Sequence, residues 1–164
     1  MSASSRVNIR AATSKDLVIV GGLGALLVAL HHELDSARFL EATPRTPQGY
    51  ASFLGTQLEE PDIMILVAEK EGEVIGYTYA GVEGTDYMSL RGPAGVLHDI
   101  VVDPAHRGRG VGQMLLDATL AALGGRGVHQ VVLSTAERNP TAQRLFERAG
   151  FRRTMIEMTR DLKD

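Results

Sequence analysis

Arg107-Gly108-Arg109-Gly110-Val111-Gly112 is the stretch that decides the fold. It follows an apolar run closed by Asp103-Pro104 and leads into Val111, Leu115, Ala118 and Ala122 at helical spacing, so the turn joins a strand to a helix. Successive backbone N–H groups and the positive end of a helix at such a turn can cradle phosphate, and glycine lets the main chain come close. Two other phosphate motifs fail. A dinucleotide fingerprint needs glycine where Gln113 stands, and a P-loop needs Gly-Lys-Ser/Thr, which the chain lacks. A turn that merely packs helix on strand is the other reading of the hexapeptide.

Upstream, Val96 to Val102 reads as a strand, after loop-like composition from Gly84 to Gly95. Ile63 to Lys70 and Val74 to Val82 are β-rich runs separated by Glu71-Gly72-Glu73, a hairpin signature. Before them, Thr46-Pro47 opens a helix expected to end near Glu60. A first helix should run from the capping-box-like Thr13-Ser14-Lys15-Asp16 to about Leu34, behind a strand at Val7 to Ala11. Downstream, the helix after the turn ends at Gly124-Gly125, and Gln130 to Thr135 is a strand. Asn139-Pro140 to Gly150 is a helix, and Met155 to Arg160 reads as a last strand. The order βααβββαβαβ implies an α+β sandwich around a mixed sheet, with residues 1–164 as a single domain.

Composition narrows the chemistry. The 164 residues contain no cysteine, which excludes disulfides, thiolate catalysis and cysteine metal sites, and a cytoplasmic location is the expectation. The apolar run Leu17 to Leu30 is short for a bilayer and interrupted by glycine, so we expect an amphipathic helix and no membrane partner. Net charge is −3, but residues 1–102 hold 7 basic and 13 acidic groups while residues 103–164 hold 10 and 7. The asymmetry reads either as ordinary solvated faces or as an anionic ligand meeting the C-terminal half. With three lysines and 5% aromatic residues, nucleic acid is not an expected partner.

Two motifs carry a family resemblance. Arg107-x-x-Gly110-x-Gly112, with Asn139-Pro140-x-Ala142-x-x-Leu145-Phe146-x-x-x-Gly150-Phe151 downstream, resembles the pattern of the GCN5-related N-acetyltransferase (GNAT) family over roughly Leu97 to Phe151. The resemblance implies a mixed, mostly antiparallel central sheet with helices on both faces and a splayed acetyl-CoA cleft. It also implies acetyl-CoA as cosubstrate, its pyrophosphate held on the turn from Arg107 and Gly108 through Arg109, Gly110, Val111 and Gly112. Ile100, Val101 and Val102 would border the acetyl group and pantetheine arm, Ile100 and Val102 through main-chain groups. Asn139 could hydrogen-bond the pantetheine amides or act as an N-cap, and both roles can hold together. Arg107, Arg109, Arg138 and Arg144 suit an anionic donor. Family members often form homodimers, so a homodimer is a further expectation.

Acetyl transfer to an amine needs a neutral nucleophile, a stabilised oxyanion and a leaving thiolate. In Leu97-His98-Asp99-Ile100-Val101-Val102 the strand period places His98 and Ile100 on one face and Asp99 on the other, unless a bulge intervenes. The segment is similar to the strand of diamine and arylalkylamine acetyltransferases, which implies His98 as general base and Asp99 as holder of a cationic amine. A satisfied core histidine and a structural aspartate are the bland readings. Phe146 stands where many members of the family have a tyrosine acid. Phenylalanine donates no proton, so thiolate would leave unaided, water or Ser134 would serve, or the chain would be an acetyl-CoA-binding module with lost activity. His31 and His32 lack His-Glu-x-x-His spacing and read as helix-surface residues, and no metal is expected. Glu33, Asp35 and Glu41 would border the acceptor mouth in the family layout, and Tyr77, Tyr79 and Tyr87 could line the cleft. The acceptor amine itself, of a small molecule or a peptide, is not named by any of these residues.

Overall fold

The computed structural model describes residues 6–163. Strand β1 (Asn8–Ala11) leads through a short 3-10 turn into helices α1 (Leu17–Leu34) and α2 (Thr46–Gln57). Strands β2 (Ile63–Lys70), β3 (Glu73–Glu83) and β4 (Ala94–Val102) follow, then α3 (Val111–Gly125), β5 (Val131–Leu133) and α4 (Pro140–Arg148). The five strands lie in the order β1-β2-β3-β4-β5. The first four pair antiparallel and β4 pairs parallel with β5. This is the mixed, mostly antiparallel α+β sheet expected, with helices on both faces.

Local chemistry sets the joints. The β2–β3 turn has Glu71 and Gly72 both at positive φ, 53° and 83°, which matches the right-handed twist of a tight hairpin. At the start of α1, the Asp16 carboxylate accepts the Thr13 N–H at 2.7 Å and two guanidinium N–H groups of Arg10 at 2.8 and 3.0 Å. These bonds tie the helix start to β1 and hold the Asp16 pKa down at about 2, chiefly through Arg10.

One core joins α1 and α2 to the sheet through Val20, Leu23 and Leu54 against Val67, Tyr77 and Val101. On the opposite face Leu116, Leu123 and Phe146 pack on Met64, Ala80 and Leu97. Glycine sets how closely α2 approaches α1. A Cβ on Gly21 would lie 2.4 Å from the Pro47 carbonyl oxygen, and one on Gly24 would lie 2.2 Å from the Tyr50 ring. By length and apolar composition α1 would suffice to cross a membrane, yet Val20, Leu23 and both close-packed glycines are buried against α2 and the sheet.

Three sequence expectations need correction. Helix α2 stops at Gln57 instead of Glu60, and β5 covers three residues instead of Gln130 to Thr135. Met155 to Arg160 forms no strand, and Met155, Ile156 and Met158 are 71%, 84% and 89% exposed. Composition predicts an extended backbone, but a strand also needs a hydrogen-bonding neighbour.

Candidate active site

Past Leu97, β4 has no β5 partner, because the parallel ladder consists only of Gly95, Val96 and Leu97 with Val131, Val132 and Leu133. The sheet therefore opens along the second half of β4, beside Ile100, Val101 and Val102. Val101 is buried, whereas Ile100 and Val102 are half-buried. At its far end the Arg107 guanidinium Nε donates to the Val102 carbonyl at 3.0 Å, drawing the glycine turn back against the strand.

The turn has the properties phosphate requires. Gly108 and Gly110 have φ of 74° and 80°, a backbone region that favours glycine. The first α-helical hydrogen bond of α3 runs from the Met114 N–H to the Gly110 carbonyl at 3.0 Å, which leaves the N–H groups of Val111, Gly112 and Gln113 without a partner in the preceding turn. A Cβ on Gly112 would meet only Leu145 at 3.6 Å and Val102 at 3.8 Å, ordinary contacts, so packing of the protein does not itself demand glycine there. Arg107, Arg109 and Arg144 are exposed. Asn139 caps α4, its Oδ1 accepting the Ala142 N–H at 3.2 Å, and its amide nitrogen is not used by that bond.

On the other face a bulge in β4 changes the expected alternation. Asp99 pairs with Tyr79 and Leu97 with Ala80, so His98 is the extra residue. The His98 ring stacks on Tyr79 with centroids 4.9 Å apart, and Asp99 turns to the same side. Both line a cavity of about 230 Å³ with Leu27, Val28 and His31 of α1 and Arg38, Phe39 and Leu40 of the segment after it. The bulge is the exception under which the strand period fails to separate His98 from Asp99: the inserted residue shifts the side-chain period by one, and the two line one cavity.

Asp99 is 8% exposed, and its Oδ2 accepts the hydroxyls of Tyr50 at 2.9 Å and Tyr77 at 2.8 Å. Burial pushes its carboxyl above the ordinary aspartate range, against the opposing pull of those two bonds. Burial also raises both phenols, with the Asp99 charge adding to it, so they stay protonated donors. Nε2 of His98 lies 3.5 Å from Glu83 Oε2, a buried oxygen with no hydrogen bond. Across the cavity, His31 Nδ1 meets the Leu27 carbonyl at 2.8 Å; Nδ1 donates in that bond, which leaves Nε2 as the acceptor nitrogen of the neutral ring.

Other sequence expectations fare differently. Tyr77 and Tyr79 do meet Asp99 and His98, but Tyr87 is 78% exposed and outside the cavity. Glu33, Asp35 and Glu41 do not line it, and Asp35 instead sits 4.0 Å from Arg138. His31 is a cavity residue, not a helix-surface one, since the Phe39 ring folds edge-on against it at 4.9 Å. Phe146 is buried against Leu116 and Leu123 and edge-on to Phe151 at 5.9 Å. Among the described residues there is no cluster of three metal-ligating side chains. Tyr50, Glu83 and His31 were missed because their spacing in the chain carries no motif. Only the glycines facing α2 hinted that a bulky residue comes close.

Residues 27–151 match the acetyltransferase (GNAT) family model. A mycothiol acetyltransferase of Thermobispora bispora is 38% identical over 96 residues, 56% of this chain and 31% of that protein, so the chain spans about a third of that relative's length. The uncharacterized N-acetyltransferase YhfO of Bacillus subtilis is 34% identical over 106 residues, 63% of this chain and 68% of that protein. In fold, the chain superposes on aminoglycoside N-acetyltransferase AAC(6')-Iy in complex with CoA with a TM-score of 0.72 at 20% identity, over 99% of both chains. With the open β4 edge and the glycine turn in place, the chain belongs to the GNAT acetyltransferase family.

Proposed function

We propose that this protein is an acetyl-CoA-dependent N-acetyltransferase that moves an acetyl group directly to a primary amine. Acetyl-CoA supplies the thioester carbonyl that the amine attacks and the thiolate that departs. The observation that carries the reading is the placement of a phosphate-ready helix start at one end of the unpaired half of β4 and the Asp99–His98 cavity on its other side. Unpartnered N–H groups of Val111, Gly112 and Gln113, with Arg107 and Arg109 beside them, suit the pyrophosphate. The amide nitrogen of Asn139 suits a pantetheine carbonyl.

In this reading Asp99 holds the incoming ammonium through Oδ1, because Oδ2 is occupied by two phenols. His98 takes the proton that the amine must lose, directly or through water, and Glu83 steadies the imidazolium. Main-chain groups of β4 at Ile100 and Val102 face the carbonyl oxygen. The ammonium loses one proton to His98 before attack; the carbon–nitrogen bond then forms, the carbon–sulfur bond breaks to release thiolate, and the second proton of the nitrogen, like the first, leaves to solvent. A thiol pKa of about 8.5 lets thiolate depart near neutrality without a protein acid, which agrees with an apolar Phe146.

Titration calorimetry with acetyl-CoA tests the donor site. Gly112→Ala fits the fold, so it should leave the melting temperature unchanged while weakening acetyl-CoA about tenfold or more by blocking backbone approach. Undiminished affinity in this variant and in Gly110→Val would remove the donor from the turn.

A further inference from the structure

The cavity beside Asp99 is small and unequally dressed. Its volume of about 230 Å³ falls below the roughly 300–1,000 Å³ of clefts that take drug-sized ligands. Leu27, Val28, Phe39 and Leu40 make the walls apolar, and among the described residues Asp99 is the one carboxylate lining them. The acidic residues nearby in sequence, Glu33, Asp35 and Glu41, all lie outside. The remaining charged or titratable groups are of the opposite kind: His31, His98, and Arg38, whose guanidinium lies 4.8 Å above the Phe39 ring and is paired with Glu157.

Resting on the acceptor reading of this same cavity, we infer that the acceptor is a compact apolar monoamine, with no second ammonium and no carboxylate on the carbon bearing the amine. One ammonium satisfies Asp99 Oδ1, and the hydrocarbon behind it covers Leu27, Phe39 and Leu40, taking apolar surface on both sides out of water. A second ammonium on that hydrocarbon faces apolar walls and the Arg38 guanidinium, and the acids next to the lining, Glu157 and Glu83, are already turned to Arg38 and His98. An α-carboxylate is carried within contact distance of the Asp99 carboxylate, whose charge burial already disfavours. The second ammonium finds no free carboxylate on the walls, and the α-carboxylate is set against that of Asp99 while the Arg38 guanidinium is already held by Glu157, so each mismatch disfavours binding.

Two matched pairs of amines test this with the wild-type protein, by initial rates of thiol release at saturating acetyl-CoA. Hexylamine and 1,6-diaminohexane differ by one ammonium, and 3-methylbutylamine and leucine differ by the α-carboxylate. The expected result is a kcat/KM about tenfold or more higher for the monoamine in each pair. Leu40→Glu, which sets a carboxylate on the wall, should move the hexylamine preference toward the diamine. Turnover in which 1,6-diaminohexane or leucine equals its partner overturns the acceptor class while leaving the transferase reading intact. Absence of thiol release with all four amines, despite acetyl-CoA binding, overturns both.

Discussion

Tyr50 donates its hydroxyl to Asp99 Oδ2 at 2.9 Å, joining α2 to β4 beside the cavity that Asp99 and His98 line. The contact exists because Gly24 of α1 has no side chain where the Tyr50 ring lies. A helix glycine therefore controls the environment of a carboxylate on the far side of the ring. Desolvation and two phenol donors act on Asp99 together, and both depend on α2 sitting this close.

Gly24→Ala should destabilise the fold by about 1–3 kcal/mol, because the new methyl must displace a ring within a packed seam. Gly22 is the internal control. A Cβ there meets nothing within 4 Å, so Gly22→Ala should be neutral or stabilise by up to about 1 kcal/mol through helix propensity. Denaturant unfolding of the two variants checks the contrast. Equal stabilities would show that α2 yields freely.

His98→Ala should lower turnover by roughly 10²–10⁴-fold with a good amine, since it removes the group that takes the proton of the amine. Acetyl-CoA affinity should not change, because the ring faces the side of the sheet away from α3. Glu83→Gln removes the carboxylate beside Nε2 and should cost less than the loss of the ring. A variant lacking His98 that keeps wild-type rates and pH dependence would make the histidine structural.

Phe146→Tyr tests the missing acid. The added hydroxyl enters an apolar cluster formed with Leu116 and Leu123, so thermal stability should fall. Single-turnover acetylation should gain less than about tenfold, because a thiol of pKa about 8.5 leaves without help near neutral pH. A much larger gain would mean that proton delivery limits the wild type and would favour a degenerate binding module.

Acid unfolding should expose the Arg10–Asp16 pair. The Asp16 carboxyl titrates at about 2 in the fold and near 4 when unfolded, so its contribution is complete above pH 4 and vanishes as pH falls toward 2. At neutral pH, Asp16→Asn should cost about 2 kcal/mol, and the difference from wild type should shrink over that window. A constant difference from pH 7 to pH 2 would assign the loss to packing instead.

Asp99 carries the opposite sign. Burial raises its folded pKa, so ionisation weakens the fold as pH rises from the unfolded value through the raised one. Asp99→Asn should therefore melt no lower than wild type at neutral pH, while amine acetylation collapses. Equal loss of stability and activity would make Asp99 a purely structural group.

The order of elements, the hairpin at Glu71-Gly72 and the glycine turn were legible in the chain, because each rests on local conformational preference or on periodic burial. Gly108 and Gly110 supply the positive φ that the turn uses, and Asn139-Pro140 is a local start signal for the helix it caps. The face of His98 was not legible. Strand period alone separates it from Asp99, and only the pairing of β3 with β4 inserts the bulge that brings them together. Residues 155–160 have strand composition but no neighbour to bond, and Tyr50, Glu83 and His31 reach the site through contacts between elements distant in sequence. Most segments and the glycine turn proposed for phosphate could thus be read from the chain, since they follow from neighbouring residues. Which side chains share the cavity beside Asp99 follows only from the folded arrangement, since it depends on register and on how closely two helices pack.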